Sequence, residues 1–511
     1  MKNWRDFYQQ HSLPPQSLDV LKATAEEYGI YPESLHELEG DLLFLAKDEN
    51  RKRLIVIGSG RIFEAFQGDI IIEGQLKSCP LSHENAKVLR QLFPFTAPVS
   101  HKGHATTIGL GDRLGLASPG HLKLIKDYPV FPVLAQQSIR ELNLTQRTYD
   151  EVLDAASWAV FQEGYTNGFG ADGDHLKTEE EVQMALDCGY TMITLDCSDH
   201  IDNTIIQLSN EEVEARYQLL PKDLVQKLEG KYLNRSFPLE NGESITFDPI
   251  SLKRIVLTYG RSIDYTIKLY NKLLKPLEKA IDFEMSIDET LTPTSPQAHF
   301  FVASQLIKGG VNISSLAPRF CGEFQKGIDY IGNIADFERE FVLHQVIASH
   351  FGYKISVHSG SDKFSIFPIV GRITEGRVHV KTAGTNWLEA MRIIARFEPA
   401  LYREMHQYAL EHLEEAKQYY QISARTENIP DVHALVDEEL PSLMDMDDSR
   451  QLIHITYGLI LQAQAEDGTS LFRDRLYHAW NSYEKEYEEA LIRHIGKHLS
   501  KLGIKKRCPE D

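Results

Sequence analysis

Between residue 106 and about Thr385, eight short apolar runs alternate strictly with stretches of helical pattern, and no other feature of the chain restricts its fold so tightly. The runs are TTIGLGDRLGLA (106–117), VFPVLAQ (130–136), GFGADGDH (168–175), TMITLDCSD (191–199), AIDFEMSID (280–288), VNISSLAPR (311–319), YKISVHSG (353–360) and RVHVKTAG (377–384). They read as apolar on both sides and are flanked by glycine or proline, as parallel strands covered on both faces are. Eight such strands alternating with helices are the count of an α/β fold, a (β/α)8 TIM-like barrel. Helix-start signals fall between the runs. Ser118-Pro119 and Ser295-Pro296 place a cap and a first-turn proline, and Ser138-x-x-Glu141 and Thr178-x-x-Glu181 are capping boxes. Gly309 and Gly352 stand where helices should stop.

Outside the barrel, residues 1–105 carry DLLFLAKD (41–48), RLIVIGSG (53–60) and GDIIIEG (68–74) and read as an α+β unit. Residues 386–511 read as helical, as in LYREMHQYALEHLEEAKQYY (401–420). The stretch 200–275, between the fourth and fifth runs, is too long for an ordinary loop. It is expected to cover or shape the active site, as long insertions at that face do.

Composition excludes several function classes. With 74 acidic against 54 basic side chains the chain carries a net charge of −20, which disfavours nucleic acid as a partner. No run of 18 apolar residues predicts a membrane span, and MKNWRDFYQQHSLPP has no apolar core of a secretory signal. Five scattered cysteines fit a reducing compartment. The expectation is a cytoplasmic enzyme acting on a small polar molecule, with room for a homo-oligomer. Gly58-Ser-Gly60 follows a strand, but Phe63 replaces the third glycine of a dinucleotide site.

In a barrel of this kind the active site lies at the C-terminal ends of the strands. There the sequence puts Asp112 and Arg113; Gln136 and Gln137; Asp172, Asp174 and His175; Asp196, Asp199 and His200; Asp282 and Glu284; Arg319 with Glu323 and Gln325; His358, Asp362 and Lys363; and Lys381 with Thr382. His175 and His358, on different strands and each near carboxylates, can reach one ion, and imidazole with oxygen donors suits zinc, nickel, manganese or iron. Either histidine alone reads equally as a hydrogen-bonded strand-end residue; Glu323 or Gln325 could add an oxygen. Glu284 sits inside an apolar strand, where a carboxylate needs a partner: a buried ion pair, or a role in moving protons with Asp174 opposite. Arg113, Arg319 and Lys381 could clamp a substrate carboxylate or phosphate, or simply neutralise the acids around them.

The segments GFGADGDHLKT (168–178), AIDFEMSIDETLTPTSP (280–296), LAPRFCGEFQKGIDYIG (316–332) and KISVHSGSDKFSIFP (354–368) resemble the tagaturonate epimerase family, and the likeness extends through nearly the whole chain. The resemblance implies interconversion of D-tagaturonate and D-fructuronate, a step of hexuronate breakdown, with a divalent metal. It implies Asp174 as proton acceptor, Glu284 as proton donor, and His175, His358 and Gln325 as metal ligands, although Glu323 two residues away is chemically the better oxygen. The inverted centre, C4, is β to the C2 ketone, so simple enolisation cannot epimerise it. Retro-aldol cleavage of C3–C4 with rotation of the aldehyde, or a hydride route, is required. Two other readings share these residues: a metal-dependent aldolase or lyase, and a non-catalytic sugar-acid binding barrel.

Overall fold

A computed structural model describes residues 3–10, 18–48, 51–101 and 103–508, which include every candidate site residue. Its centre is a closed barrel of eight parallel strands: β1 (Thr107–Gly109), β2 (Phe131–Ser138), β3 (Gly170–Leu176), β4 (Met192–Asp196), β5 (Asp282–Ile287), β6 (Ser315–Pro318), β7 (Lys354–Val357) and β8 (Val378–Lys381). Each strand pairs with its neighbours in sequence, and β8 closes on β1 through His379↔Thr107. All eight expected runs contain a strand, mostly shorter than the run. The first shrinks most, to Thr107–Gly109, because the chain turns at Gly111, whose φ is +36°.

The strands are not apolar on both sides. Phe283, Met285 and Ile287 of β5, Ile355 and Val357 of β7, and Val378 and Val380 of β8 join the apolar layer under the helices. The alternate residues Glu284, Lys354, Ser356, His379 and Lys381 are all buried as well. The barrel interior is therefore polar, and strict two-residue alternation separates it from the helix layer.

Local signals explain several of the helix starts. Ser295 accepts from the Ala298 amide with Pro296 in the first turn. Thr178 and Glu181 form a reciprocal capping box, and helix Ile334–Phe351 ends at Gly352 with φ +84°. Two signals work differently from expectation. Ser118 lies in the first turn rather than at the cap, and the Ala117 and Ser118 amides donate to Asp112 at 2.6 and 3.3 Å. Ser138 caps its helix, but Glu141 turns away from the cap to pair with Arg113.

Ahead of the barrel, a five-stranded antiparallel sheet with the helix His83–Leu92 packs on Trp158 and Phe161 of the barrel helix Tyr149–Gln162. After it, helices between Thr385 and Lys501 share a second apolar core around Trp387 and Trp480. Within 200–275, the helix Pro249–Leu269 is part of the barrel wall, packed on helix Pro296–Lys308. Among the described residues no helix is long and apolar enough to cross a membrane.

Candidate active site

β3 carries an irregularity that decides the site. Gly173 pairs with Ile193 and Leu176 with Leu195, so Asp174 and His175 together face the single residue Thr194. Regular alternation would send two adjacent residues to opposite faces. The extra residue, a β-bulge with His175 at φ +52°, lets both side chains reach the same cavity.

On β5 the regular spacing does the same work. Glu284 lies within the barrel and Asp288, four residues on, emerges at its mouth. His358 stands just beyond β7. Its Nε2 lies 2.6 Å from Glu284 Oε1, and its Nδ1 lies 3.3 Å from Asp288 Oδ2. His175 places Nδ1 at 2.9 Å from Asp174 and Nε2 at 4.0 Å from Asp288, with the two imidazole centroids 4.8 Å apart. His175, Asp288 and His358 thus present ligand atoms all within 4.8 Å of one another. The remaining ring nitrogen of each histidine is held by a carboxylate, Asp174 or Glu284, an arrangement that fixes the tautomer of metal-binding imidazoles.

Lys381 reaches across from β8 beneath this group. Its ammonium donates to Asp174 at 2.6 Å, Asp172 at 3.0 Å and Thr194 at 2.7 Å, and lies 3.0 Å from Glu284. Ser315 donates to Glu284 at 2.5 Å. Burial opposes ionisation of Asp174 and Glu284, but Lys381 and the histidines hold both carboxyl groups well below the usual range. The same acids raise the imidazoles: Asp174 brings His175 to about 10 against the opposing effect of burial, and Asp288 lifts His358. Asp172, sealed inside the barrel, is raised by desolvation.

The cavity above this group has a volume of about 400 Å³. Strand ends β2, β3, β6, β7 and β8 contribute to it, and so do Tyr419, Tyr420, Gln421 and His454 of the C-terminal helical part. None of the described residues of 200–275 lines it, so that stretch does not form the wall expected of it.

The other sequence candidates sit in distinct settings. Arg113 is buried in an ion pair with Glu141 at 2.6 Å, its guanidinium 3.9 Å above the Tyr457 ring. Arg319 lines the cavity half-buried, with no hydrogen bond or ion pair from its side chain among the described residues. Gln325 also lines the cavity, but its amide oxygen accepts from the Ser423 amide and hydroxyl and from Gln451, and its nitrogen donates to Glu323. It thereby ties the loop after β6 to the C-terminal part. Asp288 is a carboxylate oxygen donor beside the imidazoles.

Sequence reasoning passed over Asp288 although it continues the two-residue spacing of Glu284 and Ser286. Lys326, Arg140, Tyr420 and His454 carried no comparable signal.

A second cluster, Asp362 with His494 and His498, also brings possible ligand atoms together. His498 donates from Nδ1 to the His494 carbonyl and accepts at Nε2 from the Asp362 amide, so no lone pair is left for a cation. With Arg450 paired to Asp362, this cluster braces the loop that carries His358.

Comparison with known proteins agrees along almost the entire length. Over 494 residues the chain is 41% identical to the tagaturonate/fructuronate epimerase of Thermotoga maritima, covering 94% of this chain and 99% of that one. Crystal structures of the fructuronate–tagaturonate epimerase of Cohnella laeviribosi, native and with glycerol, superpose with a TM-score of 0.92 at 54% identity, covering 95% of this chain and 99% of theirs. The family described as tagaturonate epimerase matches residues 31–502. By its likeness to these relatives over nearly the whole chain, this barrel with acids and imidazoles converging at its mouth is that of a carbohydrate epimerase, and the chain belongs to the tagaturonate epimerase family.

Proposed function

We propose that this enzyme interconverts D-tagaturonate and D-fructuronate by inverting C4 of the ketohexuronate, using a divalent cation held by His175, His358 and Asp288. The observation that carries the reading is the convergence of those three side chains directly above the Asp174–Lys381–Glu284 group. The donor set fits a cation. Nδ1 of His358 is buried without a hydrogen-bond partner and faces Asp288, while three carboxylates (Asp172, Asp174 and Glu284) share the ammonium of Lys381 and Asp288 has only the imidazoles beside it. Zinc, nickel, manganese or iron suits two imidazoles and a carboxylate. When bound, such an ion would act as a Lewis acid toward the C2 ketone. Gln325 would join the ligand set only by releasing Ser423.

Asp174 takes the proton of the C4 hydroxyl. The C3–C4 bond breaks, its electron pair passing toward the C2 carbonyl to leave an enolate, and C4 becomes an aldehyde. Rotation of that aldehyde exposes its other face and C3–C4 forms again; the proton taken by Asp174 passes through the Lys381 ammonium, which bridges the two carboxylates, to Glu284, and from there to the new C4 oxygen. Lys381 spans both carboxylates and keeps them at fixed positions beneath the imidazoles. The cationic side chains at the cavity, Arg113 and Arg319 among them, would hold the anionic substrate so that the fragments recombine before they diffuse apart. Five free cysteines suit action in the reducing cytoplasm.

Product analysis by NMR after incubation with D-tagaturonate tests this directly. D-Fructuronate is expected, with D174N and E284Q each slower by about 10²–10⁴-fold. Accumulation of smaller fragments would move the assignment to a lyase.

A further inference from the structure

Three polar side chains at the cavity wall keep hydrogen-bonding capacity that the protein does not fill, and they lie together. Lys326, half-buried in the loop after β6, has one hydrogen bond, to the Ser359 hydroxyl at 2.9 Å, and no carboxylate within ion-pair distance among the described residues. The lysines around it are satisfied: Lys363 donates to the carbonyls of Gln325, Ile328 and Ser361, and Lys381 carries three carboxylates. Arg113 pairs with Glu141 through Nε and Nη2, yet its buried Nη1 has no acceptor. His454, fully buried, has no hydrogen-bond partner on either ring nitrogen.

Two glycines show how close these groups are. A Cβ at Gly384 would meet His454 Cε1 at 2.5 Å and Arg113 Nη2 at 3.6 Å. A Cβ at Gly327, the residue after Lys326, would meet His454 Nδ1 at 3.4 Å. The imidazole is thus wedged between the loops after β6 and β8, beside Arg113, and all three side chains line the cavity. Buried donors without acceptors are costly, so an arrangement of this kind calls for an acceptor from outside.

We propose that Lys326 and His454, with the free Nη1 of Arg113, form the pocket that takes the substrate's C6 carboxylate and so selects a uronate over the corresponding neutral ketose. The pocket rests on the ketohexuronate reading and names the residues behind its charge preference. Two of its members escaped the strand-end inventory, because Lys326 lies eight residues beyond β6 and His454 comes from the C-terminal helical part. That part thereby contributes to recognition.

Calorimetric binding of D-tagaturonate and of D-tagatose, its counterpart with CH2OH in place of the carboxylate, tests the pocket without requiring turnover. Wild-type protein is expected to bind the uronate at least about tenfold more tightly. K326Q and H454F should each lose most of that preference, leave D-tagatose affinity within about twofold and melt near the wild-type temperature, while K326R retains the preference. A wild-type protein that does not distinguish the two sugars overturns the proposal. So does a K326Q protein that keeps the full preference while an Arg319 variant loses it. A wild-type protein that prefers the uronate but yields no epimer supports this pocket and counts against the epimerase reading alone.

Discussion

Lys381 is the side chain on which the site's charge balance turns. It is 6% exposed and faces Asp172, Asp174 and Glu284, three acids that could not stay ionised together without it. Removing one partner of a buried ionic group leaves uncompensated charge and costs about 3–5 kcal/mol. K381M should therefore show a markedly lower urea midpoint, and adding D172N should recover part of the loss by removing one unpaired carboxylate. Equal midpoints for K381M and wild type would mean that the acids are already protonated. The polar interior also shows what a single residue can reveal in sequence. Glu284 in DFEMSI stands out because a lone acid within apolar neighbours needs a partner, and it has four: Lys381, His358, Ser315 and Thr194. Arg113 stands out equally, but its pairing with Glu141 depends on a helix start that abandons its expected capping box.

The bulge in β3 is the element that builds the site, since it turns two adjacent side chains into one cavity. A residue with a Cβ at left-handed φ costs roughly 1–2 kcal/mol, and glycine avoids that cost. H175G should consequently be no less stable than H175A, by denaturant midpoint, and both should bind metal weakly. A clear stability advantage of H175A over H175G would argue that His175 is not held at positive φ. The barrel's elements were legible in sequence because each strand is short, punctuated by glycine or proline and followed by a recognisable helix start. Their inner faces were less so. The two-residue alternation in DFEMSI and VHVK marks a polar interior, but short runs dense in valine and isoleucine read as apolar throughout. Asp288 extends the Glu284 pattern beyond the strand and was legible on that ground. The bulge was not, since nothing in GADGDH distinguishes two inward residues from regular alternation.

Across the whole molecule, the barrel, the sheet ahead of it and the C-terminal helices are tied by ion pairs between distant segments. Glu484, at the start of the helix Glu484–Lys501, meets Lys52 at 2.5 Å and Lys47 at 3.5 Å from the N-terminal sheet, and accepts from Tyr31 at 2.8 Å. Although burial opposes it, Lys52 and Tyr31 hold this carboxyl below its ordinary value. A depressed folded pKa gives stability that is fully present above the unfolded value of about 4.3 and fades as pH falls through the lower folded value. E484Q should thus melt below wild type at pH 7, by an amount corresponding to about 1–3 kcal/mol, and the gap should narrow as pH falls below about 4. A gap independent of pH would assign the loss to packing instead. Long-range ties also limit what the sequence shows of the site. Tyr420 and His454 reach the cavity from beyond the eighth strand, and the 200–275 stretch that looked like its cover lies elsewhere.

The central claim is that one divalent cation on His175, Asp288 and His358 serves C4 epimerisation. The most direct measurement strips the protein with chelator, restores single metals, and follows D-tagaturonate. The account predicts that stripped protein is inactive, that one or more of zinc, nickel, manganese and iron restores D-fructuronate formation, and that H358A and D288A are not restored. Conversion that survives complete stripping, or full restoration of those variants, would contradict it.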